Sequence, residues 1–187
     1  MGASAVKSKF VPLFLVLALA LCASLLAGCG SKEEKKEVQL VTYESPTGQW
    51  STQYSDNFTV SDEKDGSVFT VTSTDGSVTY GIITVSYLLG GDKDAWLADK
   101  HDKALNGKYG KIAEDTSVSD VEDISLDGHN ASSVTVVIDD GTEGTGYYFI
   151  ADAYDDGIMT YTLQFTQTGF DGVSREFTNL ISNMQVK

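Results

Sequence analysis

Cysteine is scarce in this 187-residue chain, with two copies, Cys22 and Cys29. Cys22 sits inside an apolar leader, so removal of that leader leaves one cysteine and no intramolecular disulfide. Stability must then come from burial and hydrogen bonding. Histidine is equally sparse, with His101 and His129 far apart. Two distant imidazoles without a free thiol do not make a zinc site, which takes four N/S ligands, or three plus water. Proline follows the leader once, at Pro46. Cations are outnumbered, 13 Lys+Arg against 27 Asp+Glu, for a net charge of −14. Without the first 28 residues, 11 cations face 27 acids, a net charge of −16. That sign excludes nucleic acid and electrostatic docking on anionic lipid, both of which need basic surface. What is present suffices for a core, at 41% hydrophobic and 10% aromatic residues, so wholesale disorder is excluded.

The leader has the parts of an export signal. Lys7 and Lys9 form a positive start, and Phe10 to Leu26 is apolar except for Pro12 and Ser24. Leu26-Ala27-Gly28-Cys29 follows. Small residues before a cut are the mark of a secretory signal. Here they precede a cysteine, and the four positions resemble the lipobox of bacterial lipoproteins. The resemblance implies recognition of Leu26, Ala27 and Gly28 by a signal peptidase, diacylglyceryl transfer to the Cys29 thiol, and cleavage after Gly28. The competing reading of this run is an uncleaved membrane helix. Two acyl chains anchor stably where one binds only reversibly. Residues 1–28 are thus read as the signal peptide. Residues 29–38, with Gly30-Ser31-Lys32-Glu33-Glu34-Lys35-Lys36-Glu37, are read as the lipidated cysteine and a flexible charged tether.

From residue 39 onward strand patterns dominate. Val38–Tyr43, Trp50–Tyr54, Phe58–Ser61, Val68–Ser73 and Val78–Leu88 come first. Ile124–Leu126, Ala131–Ile138 and Tyr147–Tyr154 follow. Met159, Tyr161, Leu163 and Phe165 then alternate with Thr160, Thr162, Gln164 and Thr166, the cleanest two-residue period in the chain. Asp-Gly pairs occur at 65–66, 75–76, 127–128, 140–141, 156–157 and 171–172. Such pairs suit type I′ hairpin turns, which need positive φ at both central residues. Turns explain five of the six acids.

Two stretches are helical instead. Asp92–Tyr109 has Asp92 or Asp94 as N-cap, a seam of Trp96, Leu97, His101, Ala104 and Leu105, and Asn106-Gly107 near its stop. Asp171–Met184 carries Val173, Phe177, Leu180, Ile181 and Met184 on one stripe. A helix with one apolar stripe must dock, so the expected fold class is α+β, a mostly antiparallel sheet with helices packed on its faces.

Gly48-Gln49-Trp50-Ser51-Thr52-Gln53-Tyr54-Ser55-Asp56-Asn57-Phe58 resembles the opening hairpin of PsbP-like domains. The element order over residues 39–187 is similar as well. The sequence departs at Ser55, where proline is usual, and at Phe58, where tryptophan is usual. The resemblance implies a single α/β/α sandwich over residues 39–187, of a kind that mostly binds or assembles rather than catalyses. Fold alone does not fix function.

The residues themselves show no catalytic centre. No G-x-S-x-G elbow exists, and His101 reads as half-buried on the helix seam, His129 as exposed after a turn. Gly141–Gly146 is glycine-rich but joins two strands, so it is no phosphate loop. Carboxylates are the one plentiful reactive type. Alternation of hairpin turns predicts that Asp139, Asp140 and Glu143 approach Asp120, Glu122 and Asp123 at one end of the sheet, where any calcium site belongs. Asp127, Asp155 and Asp156 fall at the other end.

The reading is a non-enzymatic binding or assembly module, held on the extracytoplasmic face of the cell membrane by the lipid on Cys29. A two-membrane cell leaves the outer membrane open, since Gly30 is not an aspartate retention signal. The expected partner is an envelope protein or a small molecule, with no cofactor and no nucleic acid. A calcium-stabilised module and a polymer hydrolase are the alternatives.

Overall fold

The computed structural model describes residues 39–55, 58–64, 66–73, 76–110, 116–138 and 144–187. The lipobox residues Leu26, Ala27, Gly28 and Cys29, the tether and the 139–143 loop lie outside them. Eleven strands and two helices are described. The strands are β1 (Leu40–Glu44), β2 (Trp50–Ser55), β3 (Phe58–Glu63), β4 (Gly66–Thr72), β5 (Thr79–Leu89), β6 (Ser117–Val118), β7 (Glu122–Leu126), β8 (His129–Ile138), β9 (Thr145–Tyr154), β10 (Gly157–Thr166) and β11 (Gln185–Val186). Helix α1 (Lys93–Leu105) lies between β5 and β6, and α2 (Phe170–Ser182) between β10 and β11.

The fold is α+β and the strand pairing antiparallel, as the alternation predicts. The large sheet runs β3-β4-β5-β10-β9-β8-β6, with β7 also paired to β8. A second sheet, β1-β2-β11, which the pattern did not foresee, stands apart. Strand β10 shows how the layers form. Its Ile158 joins Leu97, Ala104, Val134, Val136, Phe149 and Ala151 beneath α1. Its Tyr161 meets Phe177 of α2 edge-on, with ring centroids 5.4 Å apart. Residues three apart in a strand point to opposite faces, so the two helices cover opposite faces of the large sheet. Helix α2 also packs on β2, where Thr52 Oγ1 donates to Leu180 O at 2.7 Å.

The helix limits follow from their caps. Asp92 Oδ1 accepts from Ala95 N at 2.7 Å, satisfying one of the free amides at the start of α1. Gly107, at φ 68°, ends it. Leu97 and Ala104 of the expected seam are buried, but Leu105 is 52% exposed. The helix ends at Leu105, short of the expected Tyr109, and its final residue turns away from the sheet.

Turn chemistry is confirmed at Asp127 (φ 48°) and Gly128 (φ 86°), which join β7 to β8 with positive φ at both positions. It is corrected at the β9–β10 hairpin. Tyr154 pairs with Gly157, so the turn residues are Asp155 and Asp156 and Gly157 opens the strand. A Cβ on Gly157 would stand 2.4 Å from Leu88 O, so close strand approach requires that glycine. Asp171-Gly172 lies within α2, where a Cβ on Gly172 would strike the Tyr80 ring at 2.4 Å.

Of the acids expected to converge, Asp139, Asp140 and Glu143 lie outside the described residues. Glu122 and Asp123 pair with Ser133 and Ser132, while β6 pairs with Val136 and Val137 nearer the end of β8. Five residues separate Ser133 from Ile138, about 17 Å along a strand. Glu122 and Asp123 therefore lie beside the middle of β8.

Candidate functional site

The opposite end of the sheet holds the site. Asp127 of the β7–β8 turn, the end of β9, the middle of β10 and the segment running from the end of α2 into β11 line an open-sided cavity of about 490 Å³. Leu126, Asp127, His129, Asp152, Tyr154, Tyr161, Ile181, Met184, Gln185 and Val186 line it. That volume lies within the range of small-ligand pockets.

Asp152 is the unusual member. Its strand alternates, so Tyr148, Ile150 and Asp152 share the face toward α2. A carboxylate thus occupies a position the two-residue period assigns to the interior. Its side chain is 4% exposed. Oδ1 is buried without a hydrogen-bond partner, and Oδ2 lies 3.4 Å from His129 Nδ1. Burial pushes the Asp152 pKa above its ordinary value. A hydrogen bond from Tyr154, the charges of His129 and Lys93, and the backbone amide of Ala153 draw it partly back. A buried polar atom left unsatisfied costs about 1–3 kcal/mol.

The tyrosines answer the same field. Burial, followed by the Asp152 charge, raises the Tyr154 pKa above its usual value. Tyr161, almost fully buried, is raised well above it by burial, with Tyr154, Asp152 and Asp127 adding to the effect. The His129 side chain is 53% exposed, as the sequence predicts. Its ring leans on Tyr154, with centroids 5.8 Å apart.

The acids expected at this end are present. Asp127 lines the cavity. Asp156 accepts a hydrogen bond from the Tyr87 hydroxyl, which pushes that phenol up to about 12. Asp152 was missed as a site residue, although a charge at an inward strand position was a legible signal. Of the acids expected at the first end, Asp123 is already matched. Ser132 Oγ donates to its Oδ1 at 2.8 Å, and Lys93 Nζ stands 3.9 Å away. Among the described residues no three His, Cys, Asp or Glu side chains group to hold a metal ion. His101 is partly buried on α1, 3.7 Å from Asp102.

A second cleft, of about 520 Å³, runs past the end of β4. Ser45, Pro46, Thr47, Trp96 and Lys100 are among the residues that line it. Lys100 Nζ sits 4.8 Å from the Trp96 ring centre.

The Asp152 cavity is lined by no serine, threonine, cysteine or lysine. Its two carboxylates differ in kind. Asp127 is exposed on a turn, whereas Asp152 is enclosed.

No protein-family model matches the sequence, and no curated protein matches it. Solved structures share its fold. The solution structure of cyanobacterial PsbP (CyanoP) from Synechocystis sp. PCC 6803 has a TM-score of 0.56 at 14% identity, over 87% of this chain and 99% of that one. The Ran-binding protein Mog1p of Saccharomyces cerevisiae has 0.53 at 12% identity, over 80% and 96%. A crystal structure from Bacteroides thetaiotaomicron has 0.53 at 10% identity. It is matched over 78% of this chain, which spans about half (48%) of that longer one. The domain has the PsbP/Mog1 type of α+β fold.

Proposed function

We propose that the chain is a lipid-anchored, extracytoplasmic binding module of the cell envelope. The signal peptide, residues 1–28, is removed, Cys29 carries the lipid, and residues 29–38 tether the domain. That domain holds a partner without changing it covalently. The cavity at Asp152 supports the binding half of this reading, because it holds a buried acid with one unpartnered oxygen beside an apolar lining. The Leu26-Ala27-Gly28-Cys29 motif supports the anchor. Fold likeness to the Ran-binding protein Mog1p agrees with a binding role.

Expression in a bacterium fed labelled palmitate tests the anchor. The parent chain should take up label, sediment with membranes and be digested by protease added to cells stripped of their outer layers. Cys29→Ser should lose the label and leave the membrane fraction. Label retained by that variant, or a protease-shielded parent, would overturn the anchor.

A further inference from the structure

We infer that the Asp152 cavity is a site for an organic cation, an ammonium or guanidinium group borne on a short apolar stem. This deepens the binding-module reading and rests on it. Three independent sources make the cavity negative. Asp152 contributes a carboxylate whose side chain is 4% exposed and whose Oδ1 meets no donor. Asp127 contributes a second carboxylate on the rim. The C-terminal end of α2, Ile181 and the residues just after it, forms one wall. A helix C-terminus carries about half a negative charge, and the last turn of α2 has no basic residue to offset it.

The positive charge nearby is small and movable. His129 touches Oδ2 at 3.4 Å with a ring more than half exposed. Lys93 acts on Asp152 only as a more distant charge, since its Nζ is bonded to Ser132 Oγ at 2.7 Å. An arriving cation would therefore displace the His129 ring from Asp152 and supply a donor to Oδ1, the oxygen that has none. The remaining lining suits the stem. The half-buried Tyr154 is the aromatic residue within reach, and Leu126, Ile181, Met184 and Val186 make the lining apolar. Cations gain from tyrosine faces, more so when desolvated. A bare divalent metal fits poorly, since calcium takes six to eight oxygens and two carboxylates stand here.

Two sources could present such a group, a free amine or the side chain of a partner's lysine or arginine. The test is calorimetric titration of the full lipidated chain in maltoside micelles. The probes are butylammonium, guanidinium, and capped five-residue peptides centred on Lys or Arg. Butanol and sodium chloride are the controls. Saturable binding of at least one cation, absent with butanol, is expected, with Kd raised at least tenfold by Asp152→Asn. Asp127→Asn should raise Kd by a smaller factor, and it keeps the test available should Asp152→Asn fail to fold. Binding of free amines identifies a small-molecule site, and binding of the peptides alone identifies a partner's side chain. Either outcome supports the inference. Equal binding of butanol, no binding of any probe to about 10 mM, or affinities that neither variant changes would overturn it. Such a failure leaves the palmitate result at Cys29 untouched.

Discussion

The Ser55 hydroxyl donates to Glu176 Oε2 at 3.2 Å, joining β2 to α2 across 121 residues of sequence. Ser55 is completely buried and Glu176 is 6% exposed. Asn179 Nδ2 also donates to Oε2, at 3.1 Å, and Arg175 Nε stands 3.5 Å from Oε1. The small sheet is therefore locked to the helix by a satisfied buried acid, the reverse of the situation at Asp152.

Glu176→Ala strips three neighbours of their acceptor in a buried setting. Removing one partner of a buried hydrogen bond costs about 1–3 kcal/mol. Urea unfolding should show that loss as a lower midpoint. Glu176→Gln keeps an acceptor oxygen and should lose less. An alanine variant that unfolds at the parent midpoint would show the lock to be energetically idle.

Leucines at the two ends of the α1 seam separate packing from pattern. Leu97 has no exposed surface, whereas Leu105 is 52% exposed. Leu97→Ala opens a cavity beneath α1 and should cost about 2–5 kcal/mol. Leu105→Ala should stay within about 0.5 kcal/mol, as surface changes do. Thermal or urea unfolding of both variants measures the contrast. Equal losses would mean that the helix sits one face away from its described position.

These two residues also show what the sequence could and could not disclose. The period that marked Trp96, Leu97 and Ala104 as inward is real, because helix geometry repeats wherever the helix runs. It cannot say where the helix stops, and Leu105 falls on the last turn. The strands were legible for the same local reason, as in the alternation from Met159 to Phe165. The second sheet was not, because β11 is two residues long and pairs with a strand more than 130 residues earlier. No local signal encodes a pairing of that reach. At the site, the acids of the turns at 127 and 155–156 were placed at the correct end by hairpin counting. Asp152 was not marked, although it shares a strand face with Tyr148 and Ile150, whereas Asp155 and Asp156 form the turn beyond the strand.

The same residue gives the last prediction, on pH. Burial raises the Asp152 pKa above its ordinary 3.8, against the opposing pull of Tyr154, His129, Lys93 and the Ala153 amide. Tyr161 and Asp127 complete the set of ionisable neighbours. An acid whose pKa is higher in the folded state binds protons more tightly there than in the unfolded chain. Its contribution to stability is then most favourable below pH 3.8. That contribution declines as pH rises through the folded value and stays low above it. Asp152→Asn removes the ionisation while keeping the shape. The variant should be the more stable protein at pH 7, by about 1 kcal/mol, near the low end of the cost of an unsatisfied buried group. Its advantage should shrink as pH falls toward 3.8. Melting both proteins from pH 7 to pH 4 measures this. A variant less stable at pH 7, or a constant difference across the range, would mean that the fold already satisfies the carboxylate. The expected result, more stability without the charge, is what a site that sacrifices stability for ligand recognition should show.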